Sequence, residues 1–165
     1  MIAAAAKNLT IGKSGDLPWR LPDDMKFFMD TTTGHPVIMG RKSYEALPPK
    51  FRPLPNRTNI IVTRNQDYQA NEAVVLTDIQ SAIKYAETIE VEEIFITGGG
   101  EIYKLGLDHA THIYLTEINA EVEGDAHFPE FDRSEWQEVW RKHHPKDERH
   151  GFDFDFVLYA RNEEK

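Results

Sequence analysis

The chain has no cysteine among its 165 residues. That removes disulfides, thiolate metal sites and thiol nucleophiles in one step. No apolar run approaches the roughly 20 residues of a membrane-spanning helix. The start, MIAAAAKNLTIG, lacks the basic segment and apolar stretch of a secretory signal. Both absences point to the cytoplasm and away from a membrane. Basic residues are also in deficit: 19 Lys and Arg face 28 Asp and Glu, for a formal charge of −9. General nucleic-acid binding is therefore not expected. A phosphorylated small ligand would need a few cations placed close together against the overall field. The seven histidines show no recognisable ligand spacing, only His143 and His144 being adjacent. They read as surface residues, and no metal site is expected.

What is present is an alternation. Short β-rich runs stand at 37–40 (VIMG), 58–63 (TNIIVT), 73–77 (AVVLT), 93–97 (EIFIT) and 111–118 (THIYLTEI), with helical patterns at 22–32, 42–47, 78–88 and 100–107 between them. Alternating strands and helices predict an α/β fold, doubly wound, with a mainly parallel central sheet and helices on both faces. The unbroken apolar character of NIIV and IFI suits strands buried on both faces. FDFDFVLY (152–159) alternates with period two instead, which predicts an antiparallel C-terminal edge strand. WQEVWRK (136–142) is ambiguous, because Trp136, Val139 and Trp140 also fit a helical stripe. LPPKFRPLPNR (47–57), with four prolines, reads as an exposed loop. At 165 residues without repeats or an internal linker, the chain reads as one domain over 1–165.

The helix at 22–32 carries an anomaly. With Pro22 in its first turn and a turn of roughly 100° per residue, Asp23, Lys26 and Asp30 gather on one wet face. Asp24 falls inside the apolar arc, between Phe27 and Phe28. Acidic residues favour the positive end of a helix dipole, which accounts for Asp23. It leaves the orientation of Asp24 unexplained, and a functional carboxylate is the alternative.

Three other stretches carry chemistry. IFITGGGEIY (94–103) is a buried strand, three glycines (98–100) and a helix start, where backbone N–H groups favour an anion. A glycine turn that merely ends a strand would look the same. VIMGRKSYE (37–45) places Arg41, Lys42 and Ser43 at a second helix start, a phosphate-binding chemistry. VTRN (62–65) ends a third strand with Thr63 and Arg64. Ligands of open α/β sheets collect at the carboxyl ends of strands, so three such ends point to a nucleotide with separated phosphate groups.

In order along nearly the whole chain, IG (11–12), LPWRLPDD (17–24), VIMGRKSYE (37–45), RPLPNR (52–57), GGGEIY (98–103), YLTEI (114–118) and EGDAHFP (123–129) resemble the dihydrofolate reductase family. The resemblance implies reduction of dihydrofolate with NADPH by a monomer, and antifolates as further ligands. It implies that Asp24 is the active-site carboxylate and Thr116 its supporting hydroxyl, with Leu17 and Trp19 completing the catalytic group. Leu17 lies in a lid-like loop over 13–19. Substrate lining is implied for Ile2, Ala4, Phe28, Leu47, Arg52, Thr97 and Tyr103, with Arg57 binding the substrate's α-carboxylate. Cofactor binding is implied for Ala4, Ile11, Gly12, Gly15, Asp16, Arg41, Lys42, Ser43, Thr63, Arg64, Gly98, Gly99, Gly100, Glu101, Ile102 and Tyr103. The family pattern also makes 136–142 a strand. Three departures stand out: a short first strand with a poor β sequence (AAAA), an extended loop at 48–51, and Glu101 where some relatives carry a basic residue. The rival readings are the related reductase of riboflavin synthesis, against which Asp24 and Arg57 argue, and a non-catalytic nucleotide-binding module.

Overall fold

Apolar strands too hydrophobic for one wet face must be covered twice, and the chain does this with a helix on each side of a parallel sheet. A computed structural model describes residues 1–89 and 92–163. Strands β3 (Val37–Gly40), β4 (Asn59–Val62), β5 (Val74–Leu76) and β6 (Phe95–Gly98) form a fully parallel sheet in the order β5-β4-β3-β6. Alternate residues of each strand belong to different cores. Val37, Met39, Ile61 and Phe95 pack with Phe27, Phe28 and Met29 of α1 (Pro22–Thr32). Ile38, Ile60, Val62 and Ile96 pack instead with Ile79, Ala82 and Ala86 of α3 (Ile79–Glu87), and with Ile102 and Tyr103 of α4 (Gly100–Gly106). Each fully buried Val, Ile, Met or Phe among them contributes roughly 1.5–3 kcal/mol.

The second sheet runs β1-β7-β10-β9. Strand β1 (Ile2–Ala6) is parallel to β7 (His112–Ile118), and β10 (Phe154–Arg161) is antiparallel to both β7 and β9 (Trp136–His144). The AAAA segment is a strand despite its low propensity, because β7 supplies a full ladder and Ala3, Ala5 and Ala6 are buried. The sheets adjoin where β6 lies beside β1. There the Tyr103 hydroxyl stands 2.7 Å from the Ile2 carbonyl and 2.9 Å from that of Thr97. A small ribbon pairs β2 (Thr10–Gly12) with β8 (Ala126–His127).

The expected α/β class is borne out, with three differences in detail. The C-terminal strand is the antiparallel one, but the edge position is taken by β9. The helical look of 136–142 comes from a bulge: Leu158 pairs with Trp140 and Tyr159 with Glu138, so Val139 is an extra residue that breaks the alternation. The 47–57 loop is not exposed throughout. Leu54 is buried, held where its N–H donates to Asn59 Oδ1 (2.9 Å) and its carbonyl accepts from Asn59 Nδ2 (3.0 Å).

Candidate active site

Because β4, β3 and β6 are parallel neighbours, their carboxyl ends share one side of the sheet. Gly40 opens α2 (Arg41–Glu45) and Gly99 opens α4, neither with a side-chain cap. Their first-turn N–H groups are thus available to an acceptor. Thr63 and Arg64 follow β4, on the other side of β3 from β6, in the same rim. Glycine is demanded here by packing as well as by any ligand. Gly98 has φ +114°, and a Cβ on it would stand 3.0 Å from the Tyr103 ring. A Cβ on Gly100 would stand 2.9 Å from the His127 carbonyl. The end of β6 therefore packs tightly on the Tyr103 ring and the start of α4 on the β8 backbone, and Ser43 Oγ reaches the same place beside Gly99.

The cations of this rim are paired but accessible. Arg41 Nε donates to Glu45 Oε1 (2.8 Å) while its guanidinium lies over the Tyr68 ring. Arg64 Nη2 donates to Glu101 Oε1 (3.0 Å), with both side chains mostly in water. Lys42 is exposed. Exposed pairs of this kind hold their charges weakly, so an entering phosphate can displace the carboxylates. Glycine ends, uncapped N–H groups and three cations fit a dinucleotide phosphate chain, and Ile102 and Tyr103 anchor α4 beneath it.

The carboxyl side of the site is built from α1 and β7. The Thr116 hydroxyl donates to Asp24 Oδ1 at 2.6 Å, across 92 residues of sequence. Thr116 is buried, and its ladder partners are Ala4 on β1 and Phe156 on β10. Burial pushes the Asp24 carboxyl from 3.8 up to about 6, against the opposing Thr116 hydrogen bond and the nearby His150 ring. On the same arc Phe28 and Met29 are half-buried, while Met25 is 50% exposed, so the arc runs out into open space rather than ending in core. Trp19 is buried with Leu21, Phe154 and Phe156, and its Nε1–H meets no acceptor among the described residues.

Arg57 shows the same kind of incompleteness. One guanidinium nitrogen, Nη2, reaches the Met29 carbonyl (3.1 Å) and Thr33 Oγ (2.8 Å). Its Nε and Nη1 are buried without a partner among the described residues, and burial lowers its pKa. A buried guanidinium with unanswered donors is unfavourable unless an anion completes it. Leu47 is partly buried on the same core as Phe28. Arg52 points elsewhere: its Nη2 is bound to the Glu45 and Leu47 carbonyls, each at 2.7 Å, so it braces the loop.

The loop over 13–19 closes on itself through Lys13 N–H to Asp16 O (2.8 Å), and Ser14 N–H donates to the Asp125 carboxylate. This ties the segment bearing Gly12, Gly15 and Asp16 to the β8 strand. Leu17 is 47% exposed beyond it, and Ile11 packs against the core.

The expectation that all seven histidines lie on the surface fails at His150. Its ring is buried, because Asp147 Oδ1 accepts from Nδ1 (2.8 Å) and the N–H of Asp23 donates to Nε2 (3.1 Å). The helix face bearing Asp23 is correspondingly not simply wet. No local pattern signals a contact between residues 127 apart.

The fold and this rim are of the nucleotide-binding α/β class, with a buried carboxyl at Asp24. A family model described as "Dihydrofolate reductase" matches residues 1–161. The dihydrofolate reductase of Bacillus subtilis is 40% identical over 160 residues, covering 97% of this chain and 92% of its own. That of Neisseria meningitidis serogroup A is 42% identical over 161 residues, covering 98% and 96%. A solved dihydrofolate reductase from Enterococcus faecalis, complexed with NADP(H) and RAB-propyl, superposes with a TM-score of 0.88 at 36% identity, covering 98% of this chain and 95% of that one. The chain belongs to the dihydrofolate reductase family.

Proposed function

We propose that this chain reduces 7,8-dihydrofolate to tetrahydrofolate with NADPH, as a cytoplasmic single-domain monomer. The observation that carries the reading is the Asp24–Thr116 pair, one carboxyl held inside an otherwise apolar arc beside the strand-end rim. When bound, NADPH supplies the hydride that reaches C6 of the dihydropterin while N5 takes up a proton. Thr116 fixes Asp24 Oδ1 and thereby aims Oδ2 at a donor pair such as the amide and amino groups of a pterin. With its pKa near 6, Asp24 changes charge close to neutrality. It polarises the ring so that water protonates N5, rather than reaching N5 itself. Trp19, Ile2 and Ala4 line the apolar floor and keep solvent from the reacting atoms. Arg57 takes the substrate's carboxylate, and Arg41, Lys42, Ser43 and Arg64 take the cofactor's phosphates.

A module that only bound a nucleotide would have no use for a carboxyl whose burial opposes its ionisation. The deciding experiment is NADPH oxidation on addition of dihydrofolate, with Asp24→Asn as the paired variant. Loss of a general acid–base group typically costs about 10²- to 10⁴-fold. Folded protein that binds both ligands yet consumes no NADPH overturns the reading.

A further inference from the structure

At the outer end of the β9–β10 hairpin three side chains from two distant parts of the chain converge on one point. Asp23 Oδ2 lies 2.8 Å from His144 Nε2 and 3.8 Å from His150 Nε2, and the three ligand atoms are within 4.8 Å of one another. Both rings are fixed by partners on their other nitrogen. His144 Nδ1 faces the Pro145 carbonyl at 2.8 Å, and His150 Nδ1 faces Asp147 Oδ1 at 2.8 Å. Both partners only accept, so each Nδ1 carries the hydrogen, and in a neutral ring each Nε2 presents a lone pair. His144 also stacks on Phe154, with ring centroids 4.4 Å apart and planes 9° from parallel. A half-turn of the ring would keep that stacking but lose the Pro145 contact, so the Nδ1 hydrogen bond holds Nε2 toward the carboxylate.

A lone pair aimed at a carboxylate oxygen at hydrogen-bonding distance requires a cation between them: a proton or a metal ion. Two imidazoles and one carboxylate, each imidazole oriented by a carbonyl or carboxylate behind it, form the ligand-plus-support pattern of divalent transition-metal sites. We propose that Asp23, His144 and His150 bind a borderline divalent cation of the Zn²⁺ class, leaving one coordination position to solvent. Zn–N and Zn–O bonds of about 2.0–2.2 Å place tetrahedral ligands about 3.3–3.6 Å apart, between the two separations seen here. Imidazole with a carboxylate favours such ions over Mg²⁺ or Ca²⁺. Two contacts yield on binding. His150 Nε2 exchanges the Asp23 N–H (3.1 Å) for the ion, and the exposed Arg149, 3.4 Å from Asp23 Oδ1, swings away. The ion then clamps the first turn of α1 to the hairpin.

The test uses the intact protein, stripped with EDTA and free of folate and nucleotide, so its outcome is independent of the reductase reading. Titration with Co²⁺ in mildly alkaline buffer should show one equivalent with the visible ligand-field bands of a low-coordinate ion, displaced by Zn²⁺. Zn²⁺ should also raise the unfolding temperature of the unmodified protein. His144→Gln should abolish the bands, Asp147→Asn should weaken binding by about ten- to a hundredfold, and His143→Gln should change nothing. Failure of the unmodified protein to bind one spectrally shifted equivalent overturns the proposal, whatever the variants do. So does binding that survives His144→Gln. In either case the cluster is only a hydrogen-bonded closure of the hairpin.

Discussion

Asp24→Asn separates what the carboxyl does for the fold from what it does for the reaction. Asparagine keeps the shape and its Oδ1 still accepts from Thr116, whose hydrogen bond to Asp24 is 2.6 Å. What disappears is the charge. Burial lifts the native carboxyl from 3.8 to about 6. At roughly 1.4 kcal/mol per unit this shift sets an upper bound of about 3 kcal/mol, and the remaining contact with water brings the expected effect to about 1–3 kcal/mol. The sign follows from the direction of the shift. Below about pH 3.8 the group is neutral folded and unfolded, and it contributes no difference. Between about pH 3.8 and 6 the unfolded chain ionises while the folded one holds its proton, so stability falls as pH rises. Above about pH 6 the loss is complete and constant. Denaturant unfolding of the ligand-free protein with EDTA present should therefore find Asp24→Asn more stable than the unmodified chain near neutrality. The two should converge towards pH 4, where the native carboxyl holds its proton in the folded chain and largely regains it in the unfolded one. Hydride transfer at neutral pH should meanwhile fall about 10²- to 10⁴-fold. A variant no more stable than the unmodified protein at about pH 8, or an advantage that persists unchanged in acid, refutes the placement of Asp24 as a desolvated carboxyl.

Thr116→Val removes the hydrogen bond that favours the charged carboxyl. The pH–rate profile should move to higher pH while the rate in acid stays near that of the unmodified enzyme; an unmoved profile would show that Thr116 does not support Asp24. Arg57→Lys keeps the charge but loses the fork, so KM for dihydrofolate should rise with NADPH affinity unchanged, and normal dihydrofolate binding would assign the carboxylate elsewhere. Arg41→Ala and Arg64→Ala should each cut the preference for NADPH over NADH by about ten- to a hundredfold, as charge-assisted contacts of roughly 1.5–3 kcal/mol imply. Their exposed partners should limit the change in unfolding stability to about 1 kcal/mol or less. Equal KM values for NADPH and NADH in the unmodified protein would refute the assignment.

The layers of this fold were legible because burial writes itself into short windows. The runs at β3, β4 and β6 are apolar on both faces, and the structure divides their alternate residues between two cores. The phase of α1 was equally legible, and it singled out Asp24 before any partner was known. Thr116 was not legible from the residues alone, since a threonine in a strand is ordinary; only the family resemblance drew attention to it. Three features escaped local reading for separable reasons. The bulge at Val139 disguised a strand by inserting one residue into its alternation. Leu54 is buried inside a proline-rich loop because a side chain five residues on, Asn59, supplies the hydrogen bonds that its backbone lacks. His150 is buried through contacts with Asp147, three residues away, and with Asp23, 127 residues away, and no short window shows the second.

The charge arithmetic of the whole chain makes sense only at the scale of the rim. A protein of formal charge −9 repels a polyanion at long range, yet beyond about 8–10 Å at physiological salt that field is screened. The local array therefore decides binding. In that array Arg41 and Arg64 already hold Glu45 and Glu101. A phosphate approaching them finds cations oriented by carboxylates rather than dispersed in solvent. Orientation lowers the conformational cost of binding, while displacement of each carboxylate takes back part of the gain. Glu45 sits one helical turn from Arg41, so it can turn aside and remain near its partner. Glu101 stands in the first turn of α4, beside the very N–H groups that an anion needs, and cannot leave their neighbourhood. Of the two pairs, Arg64–Glu101 is thus the one that would oppose a phosphate chain held in this rim. Its side chains are the more exposed, where water weakens the opposition most, and the rim can carry an acid at that position.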